Sequence, residues 1–524
     1  MNIVFAFADD WGKYANIYNE IDNLDDINSL LKTPNINRIA HEGVSFTNAF
    51  VPAPSCTPCR SSVCSGQYFW QTGLGAILVG AHWDTDIPTY PLELEKNGYH
   101  IGYTYKVWSP GDNADAPYGG IRNCYTRNTE KFTRLGEFNR FSFRAMEKIE
   151  ELGFDVETAK SAMLVDVRDN FNDFIKANTD NKPFCYWWGP TNTHRDWLRG
   201  SGKELWGIEP DDLKGKLPKC LPDVHEVRED FADYLGEVQA FDAGIGVLID
   251  ELEKLSELDN TLFVISGDHG IPGMPRGKCN LYNLGCEVAL FARFPKLIKE
   301  NRIVEDFVNI MDLAPTFLDV AGVNIPEQMT AKSILPLLKS DKNGIIDKKR
   351  DFIVTGRERH ADIARDGNLP YPQRAIRTKD YLYIYNFEPD RWPVGDPKGL
   401  QDPSYQIDFD ELRLQSSAAF NDMDASPTKA WLIWHRNEEA YKNYYSLAFD
   451  KRPKEELYIL NNDKDTVLNV AQNEKYANVK KELNERLFKI LHEQNDPRVI
   501  DEDCRFEHLP YTSVRIIKKK QNKG

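Results

Sequence analysis

Residues 3–12 read IVFAFADDWG, an apolar run that stops abruptly at two aspartates, Asp9 and Asp10. Valine, isoleucine and phenylalanine are typical of strands, and an uninterrupted apolar run is typical of a strand that is buried on both faces. Similar runs occur at 101–105, 184–188 and 262–266. We therefore expect four buried strands, each followed by polar side chains at its carboxyl end.

Helical patterns separate these runs. The clearest spans residues 235–255, where apolar side chains recur at the i, i+3 and i+4 spacing of one helix face. The alternation of strands and helices predicts an α/β fold with a mostly parallel sheet flanked by helices. Because ligands bind at the carboxyl ends of the strands in such sheets, the polar residues that follow the four strands are expected to converge on one crevice.

The pattern changes after a polar connector at 341–347. A hairpin-like run at 374–387, a strand at 456–460 and a helix at 476–491 predict a smaller C-terminal α+β subdomain with an antiparallel sheet. The chain has 524 residues, which is enough for two units of unequal size. We place the catalytic α/β domain at 1–370 and the subdomain, which would contribute to the substrate pocket, at 371–524.

The overall charge argues against two classes of partner. The formal net charge is -16 and the pI is about 5.2, so a general affinity for nucleic acid or for an anionic membrane surface is not expected. The basic tail carries Lys518, Lys519, Lys520 and Lys523, and we interpret it as a solvated chain end.

The sequence predicts neither a membrane span nor an export signal. No apolar run reaches the roughly 20 residues of a span, and no charged segment precedes the apolar run at 3–7. The nine cysteines are an odd number without the spacing of a disulfide framework. We expect a cytoplasmic protein as the chain stands, or a periplasmic or secreted one if a leader peptide has been removed.

The segment 55–66, SCTPCRSSVCSG, combines a thiol with a candidate anion site. Pro58 suits the first turn of a helix, so Cys56 is expected at or just before a helix N-terminus, where free N–H groups and the helix dipole favour an anion. Arg60 adds a positive fork that matches a tetrahedral oxyanion. The segment therefore predicts an anion site that contains a thiol.

The spacing Cys56-x-Pro58-x-Arg60, followed by Ser65-Gly66, resembles the signature of the type I sulfatases, which belong to the alkaline-phosphatase-like superfamily. The order of two further elements supports the resemblance. Residues 8–12 (ADDWG) resemble the ADDxG element of the family, and residues 267–270 (GDHG) resemble its metal-binding SDNG or SDHG. The resemblance implies an alkaline-phosphatase-like fold and hydrolysis of sulfate esters.

The resemblance also implies the cofactors. In this family the motif cysteine is oxidised to formylglycine (3-oxoalanine), which here places the modification at Cys56 and requires a formylglycine-generating enzyme or an anaerobic sulfatase-maturating enzyme as a partner. Carboxylate oxygens suit Ca²⁺ or Mg²⁺, and Ca²⁺ is our choice by resemblance. The implied metal site comprises Asp9, Asp10, Cys56, Asp268 and His269.

Further matches add candidate catalytic residues. Lys106 resembles the lysine of the family's GKWH element, Lys278 the second active-site lysine, and His194 the histidine of its third motif. The chain has Trp108 where GKWH has its histidine, so the base that usually helps to resolve the sulfated hydrate is either missing or supplied by another residue. The implied mechanism is attack on sulfur by a hydroxyl of hydrated formylglycine, with Arg60 and the lysines stabilising the sulfate oxygens and His194 or Lys278 donating the proton to the leaving group.

Several segments resemble the N-sulfoglucosamine sulfohydrolase (sulfamidase) branch, among them 270–272, 280–282, 194–195 and 372–374. The resemblance implies a sulfated saccharide substrate, derived from a polysaccharide or glycosaminoglycan and carrying an O-sulfate or N-sulfate. Our candidate substrate contacts are Trp108, Arg195, Arg357, His360, Tyr371 and Arg374. An arginine would suit a uronate carboxylate or a second sulfate.

Two alternative functions stay open. The first is a phosphoester or phosphonate hydrolase of the same superfamily, which relative activity on paired aryl esters would distinguish from a sulfatase. The second is a sulfated-glycan binder without catalysis, suggested by Trp108 and by the case in which Cys56 stays unmodified.

Overall fold

The computed structural model describes residues 1–112, 116–127 and 137–508, and the basic tail at 518–523 lies outside the described residues. The strands are β1 (Asn2–Ala8), β2 (Val44–Phe46), β3 (Ala49–Phe50), β4 (His100–Tyr105), β5 (Phe184–Gly189), β6 (Thr261–Gly267), β7 (Leu290–Arg293), β8 (Arg302–Val304), β9 (Val308–Asn309), β10 (Phe352–Arg357), β11 (Gln373–Thr378), β12 (Tyr381–Asn386) and β13 (Glu455–Ile459). The helices are α1 (Asn16–Asp22), α2 (Pro34–His41), α3 (Cys56–Ser65), α4 (Tyr90–Lys96), α5 (Phe141–Leu152), α6 (Val156–Ala177), α7 (Ser201–Trp206), α8 (His225–Lys254), α9 (Asn283–Cys286), α10 (Leu313–Ala321), α11 (Leu335–Lys339), α12 (Phe409–Leu414), α13 (Pro427–Trp434), α14 (Lys442–Phe449), α15 (Ala477–Glu493) and α16 (Pro497–Ile500).

A seven-stranded sheet with the order β4-β5-β1-β6-β7-β2-β8 forms the centre of the molecule. All its pairs are parallel except those that β7 makes with β6 and β2. The predicted α/β class with a mostly parallel sheet is therefore confirmed. The four strands predicted from the apolar runs are β1, β4, β5 and β6, and they are adjacent in the sheet, so their carboxyl ends lie side by side.

Strand β1 shows why its sequence is apolar throughout. Ile3, Phe5 and Phe7 pack in one hydrophobic cluster, and Val4 and Ala6 pack in the other. Since successive side chains of a strand point to opposite faces, the two clusters cover the two faces of the sheet. Burial on both faces requires apolar residues at every position, as the sequence pattern indicated.

A four-stranded antiparallel sheet, β10-β11-β12-β13, forms the core of the C-terminal part, and α15 packs on it. The predicted hairpin, strand and helix correspond to β11–β12, β13 and α15. The sheet begins at Phe352, ahead of the predicted boundary at residues 370/371, because β10 pairs along its length with β11. The antiparallel sheet therefore includes one strand that precedes residue 371, and the division of the chain into domains at 370/371 stays a prediction.

Within the described ranges, no helix is both long and apolar enough to cross a membrane.

The central helix α8 carries a buried carboxyl group that links it to two neighbouring segments. Glu237 accepts a hydrogen bond from the Ser142 N–H at 3.2 Å and from the Asn192 side-chain amide at 3.1 Å. Its side chain is almost entirely buried. Burial raises the pKa of Glu237 from 4.5 to about 7. Glu237 is therefore partly protonated at neutral pH.

This shift predicts a pH-dependent stability. Between pH 4.5 and about pH 7 the folded protein holds a proton that the unfolded chain releases, so the stability contribution of Glu237 is present below this window and is lost as the pH rises through it. A Glu237→Gln variant stays neutral at every pH. Between about pH 5 and about pH 8, we expect its free energy of unfolding to fall by about 1–3 kcal/mol less than that of the wild type. Denaturant unfolding at the two pH values measures the difference. Asp250→Asn, which changes an exposed carboxylate of the same helix, is the control and is expected to follow the wild type.

Candidate active site

The carboxyl ends of β1 and β6 bring three acidic side chains and one imidazole together. The two strands pair in parallel along their whole length, so Asp9 and Asp10, which follow β1, lie beside Asp268 and His269, which follow β6. The Asp10 N–H donates to Asp268 Oδ1 at 2.8 Å, and Asp10 Oδ1 lies 3.1 Å from His269 Nε2. All four side chains are buried. The predicted convergence of these strand ends is confirmed.

Helix α3 places Cys56 against this group. The helix begins at Cys56, as predicted, and its N-cap residue, Ser55, makes no capping hydrogen bond with its side chain. The Cys56 Sγ lies 3.4 Å from His269 Nε2 and 3.9 Å from Asp10 Oδ1. Gly66, at a φ of 64°, ends the helix in the left-handed conformation that favours glycine. The thiol therefore sits at a helix N-terminus, where N–H groups favour a bound anion.

The environment of Cys56 keeps its thiol neutral. Burial raises the pKa of the thiol well above its usual range, and the nearby Asp9 adds to the shift. A neutral thiol is a weak nucleophile, because the thiolate is the reactive form. Cys56 in its unmodified form is therefore poorly suited to attack a sulfate group.

Arg60 is a buried connector between the strand ends. Its guanidinium donates to Asp268 Oδ2 and to Asp9 Oδ1, both at 2.9 Å. It also donates to the backbone carbonyls of Lys106 and Val107, at 2.9 and 3.2 Å. These bonds position the two carboxylates relative to α3. The contact of Arg60 with a sulfate oxygen stays a prediction.

Two lysines and a histidine complete the site. Lys106 Nζ lies 2.6 Å from Asp9 Oδ2, and Lys278 Nζ lies 2.9 Å from Asp10 Oδ2 and 3.2 Å from His194 Nε2. Burial alone would lower the pKa of both ammonium groups, but the carboxylates beside them raise it, so both lysines stay charged. The structure thus brings together all the catalytic residues named from the sequence.

The residues present fit a divalent metal ion. Asp10, Cys56, Asp268 and His269 each offer one ligand atom, and these four atoms lie within 4.8 Å of one another. Asp9 belongs to a second group of four residues, which shares Asp10 and Cys56 with the first. Carboxylate oxygens are the ligands that hard divalent cations prefer. His269 Nδ1 lies 3.1 Å from the Gly270 carbonyl oxygen, so a proton on Nδ1 leaves Nε2 as the ligand atom.

Trp108, at the position of the expected histidine, is packed in the core of the protein. Its side chain is buried in the hydrophobic core, and its indole N–H donates to Ser61 Oγ at 2.8 Å. The ring packs edge-on against Trp83. It also lines a pocket of about 360 Å³ that includes Lys106. An indole is not a base, so the side chain at position 108 supplies no general base.

The remaining predicted contacts are mostly engaged with protein partners. Arg195 forms a bidentate pair with Asp230 at 2.8 and 2.9 Å. His360 Nδ1 lies 2.8 Å from Ser55 Oγ, next to Cys56, and Tyr371 is fully buried. A direct contact of these residues, or of Arg357, with a saccharide stays a prediction.

Arg374 requires a correction. Its guanidinium is fully buried and lies 2.9 Å both from Glu358 Oε1 and from Asp496 Oδ1. It also lies over the rings of Phe69 and Trp70. Since the side chain is closed off from solvent and paired with two carboxylates, Arg374 holds the C-terminal part together and does not contact a sugar.

Two acidic residues of the site were missed from the sequence. Asp422 pairs with Arg357 and Arg365, each at 2.7 Å. Asp424 Oδ2 lies 3.2 Å from Lys278 Nζ. Both belong to a loop before α13 that has no recognisable motif, so no local signal in the sequence indicated that they reach the site.

Comparison with known families agrees with this arrangement. The sulfatase family model matches residues 1–323, which include all the predicted metal and catalytic residues. A second model, described as N-sulphoglucosamine sulphohydrolase, C-terminal, matches residues 276–408.

Individual proteins to which the chain is similar are also sulfatases. An ulvan-active sulfatase of Formosa agariphila is 25% identical over 545 residues, covering 100% of this chain and 84% of its own. The human N-sulphoglucosamine sulphohydrolase is 24% identical over 534 residues, covering 96% of this chain and 92% of its own. A structure solved with its substrate D-glucosamine-2-N,6-O-disulfate shares the fold, with a TM-score of 0.59 at 17% identity over 96% of this chain and 99% of the other. The chain therefore belongs to the sulfatase family and is a hydrolase of sulfate esters.

Proposed function

We propose that this sulfatase releases sulfate from a saccharide, using Cys56 after its oxidation to formylglycine and a Ca²⁺ ion, with Mg²⁺ as the second choice. The observation that carries the proposal is the position of the Cys56 Sγ, at a helix N-terminus and 3.4 Å from His269 Nε2. Lys106 lies beside Asp9 and Lys278 beside Asp10, so a sulfate at Cys56 would meet positive charge from two sides.

Each group has a defined task in this proposal. Formylglycine at position 56 would supply, once hydrated, a hydroxyl for attack at sulfur. A divalent cation held by Asp9, Asp10, Asp268 and His269 would neutralise charge on the sulfate oxygens when it is bound. Arg60 keeps two of these carboxylates in place through its hydrogen bonds.

The proton for the leaving group can come from one end of the site. His194 is the most exposed of the catalytic side chains, at 33%, and its Nε2 lies 3.2 Å from Lys278 Nζ. A leaving sugar oxygen or nitrogen must face the opening of the site, where His194 lies. His194 or Lys278 is therefore the proposed proton donor.

The substrate class rests on the relatives. The C-terminal family model is that of N-sulphoglucosamine sulphohydrolase, and the aligned sulfatases include an ulvan-active enzyme. A sulfated saccharide, derived from a polysaccharide or glycosaminoglycan, is common to both. We propose this class, with O-sulfate and N-sulfate to be distinguished by assay, and a formylglycine-generating or anaerobic sulfatase-maturating enzyme as the partner that modifies Cys56.

Peptide mass spectrometry of segment 55–66, on protein made in its native host, tests the modification. We expect the Cys56 side chain to have lost sulfur and gained oxygen as an aldehyde. The same preparation should release inorganic sulfate from glucosamine N-sulfate or from an O-sulfated saccharide. An intact thiol in host-made protein would contradict the mechanism and would favour a sulfated-glycan binder.

Metal removal gives a separate prediction. We expect EDTA to lower sulfate release by at least about 100-fold, because charge on the sulfate oxygens would lose its strongest stabilising partner. Added Ca²⁺ should restore the activity more fully than Mg²⁺, and measurement of bound metal before and after treatment provides the second readout. Full activity in metal-free protein would contradict the assignment of the metal site.

A further inference from the structure

The exposed side chains show where the site opens to solvent. The Lys278 side chain is 4% exposed and lies at depth, whereas those of His194 and Asp424 are 33% and 25% exposed. Both of the more exposed side chains lie beside Lys278. Solvent therefore reaches the Lys278 side of the site at His194 and Asp424, and a sugar that approaches from this side passes next to both.

Asp424 presents an acidic group with unused acceptor capacity. Its Oδ2 lies 3.2 Å from Lys278 Nζ in an ion pair, and within the described residues this oxygen has no further partner. Although burial opposes it, the charge of Lys278 holds the pKa of Asp424 well below its usual range. The group is therefore an ionised carboxylate, which accepts hydrogen bonds and has no proton to donate.

The arginines of this region do not compensate for that charge. Arg357 and Arg365 share Asp422, and Arg195 is bound in a bidentate pair to Asp230. All three guanidinium groups thus have carboxylate partners inside the protein. A second anionic group on the sugar would meet the carboxylate of Asp424 without a free arginine among these three to pair with it.

We infer that Asp424 determines substrate specificity at the opening of the site: it accepts a hydrogen bond from a hydroxyl or ammonium group of the sugar that carries the scissile sulfate, and it disfavours a second sulfate or a carboxylate there. The inference rests on the proposed function. It is an alternative to the expectation that arginines at this place recognise a uronate or a second sulfate.

The test compares three sulfate esters in the formylglycine-containing enzyme. They are an aryl sulfate, the monosulfated glucosamine that the enzyme hydrolyses, and D-glucosamine-2-N,6-O-disulfate. We expect the wild type to prefer the monosulfated sugar to the disulfate by about tenfold or more in kcat/KM, because like charges at close range are costly. In Asp424→Asn the preference should shrink to less than about threefold, since the negative charge is gone.

A second variant separates charge from hydrogen bonding. Asparagine keeps an acceptor oxygen, so Asp424→Ala is used to remove the acceptor, and it should raise the KM for the monosulfated sugar by about tenfold. Aryl sulfate offers no donor to Asp424, so its turnover in each variant reports any effect that loss of the Lys278 ion pair has on the chemical step, and the sugar rates are expressed relative to it. If the enzyme cleaves the 6-O-sulfate, comparing glucosamine and glucose 6-sulfates in the wild type distinguishes an ammonium donor from a hydroxyl donor.

Asp450→Asn is the matched control, since Asp450 is an exposed carboxylate of the same C-terminal part and should leave all ratios unchanged. An unchanged preference in Asp424→Asn would overturn the inference and leave the proposed function standing. If either variant is too unstable to assay, binding of the two sugars to Cys56→Ala and to Cys56→Ala/Asp424→Asn gives the same comparison. A wild type that hydrolyses none of the three esters would overturn the proposed function as well.

Discussion

A Cys56→Ala variant is expected to release sulfate at least about ten-thousandfold more slowly than the wild type, as is common when the nucleophile of a covalent mechanism is removed. The structure supports this expectation, because the Cys56 side chain is the group at the α3 N-terminus that lies against Asp10 and His269. Initial rates of sulfate release, measured by ion chromatography on protein coexpressed with a maturating enzyme, would give the ratio.

Cys64 offers a matched control on the same helix. Its side chain is buried in the hydrophobic core. Cys64→Ala removes the same atom as Cys56→Ala and should cost only the small free energy of a core truncation, with activity within about threefold of the wild type. If Cys56→Ala retained comparable activity, the nucleophile would have to be another group, and the formylglycine mechanism would fail.

The second large effect concerns folding stability. We expect Arg374→Met to lower the free energy of unfolding by about 3–5 kcal/mol, because it removes one partner from a buried ion pair network and leaves a carboxylate without compensation. Glu358 retains a second cationic partner, Arg498, at 2.6 Å, whereas the buried Asp496 loses its arginine partner and keeps the Arg498 backbone N–H, at 3.0 Å, as a donor. Urea denaturation followed by tryptophan fluorescence measures the change.

Arg505 provides the comparison for this prediction. Its side chain is 62% exposed and pairs with Asp501, and such a surface pair contributes less than about 1 kcal/mol. Arg505→Met should therefore be close to the wild type. An Arg374→Met protein with normal stability but a raised KM for the saccharide would contradict the structural role and would return Arg374 to the substrate contacts.

The sequence was informative wherever local pattern and burial coincide. The uninterrupted apolar run of β1 predicted a strand covered on both faces, and Ile3 and Val4 indeed lie in different core clusters. Pro58 indicated that a helix starts near Cys56, and α3 starts at that residue. These features depend on the periodicity of side chains along a short segment, which the order of residues specifies directly.

The sequence was less informative about the partners of charged residues. Arg374 was expected at the sugar because its segment resembles the sulfamidase branch and because arginine suits a carboxylate or sulfate, but no local pattern indicated its partners in the fold. Its carboxylate partner Asp496 lies 122 positions along the chain, and Asp422, the partner of Arg357, lies 65 positions away. The same limit applies to Asp424, which reaches Lys278 from a loop without a motif.

By itself, the sequence determined the α/β class, the strand ends that carry Asp9, Asp10 and Asp268, and the sulfatase signature around Cys56. Only the tertiary structure decided which lysines and arginines lie at the catalytic site, which pair with buried carboxylates elsewhere, and where solvent reaches the site. The physical reason is that burial and periodicity are properties of a local segment, whereas the pairing of charges depends on which distant segments the fold brings within a few ångströms of each other.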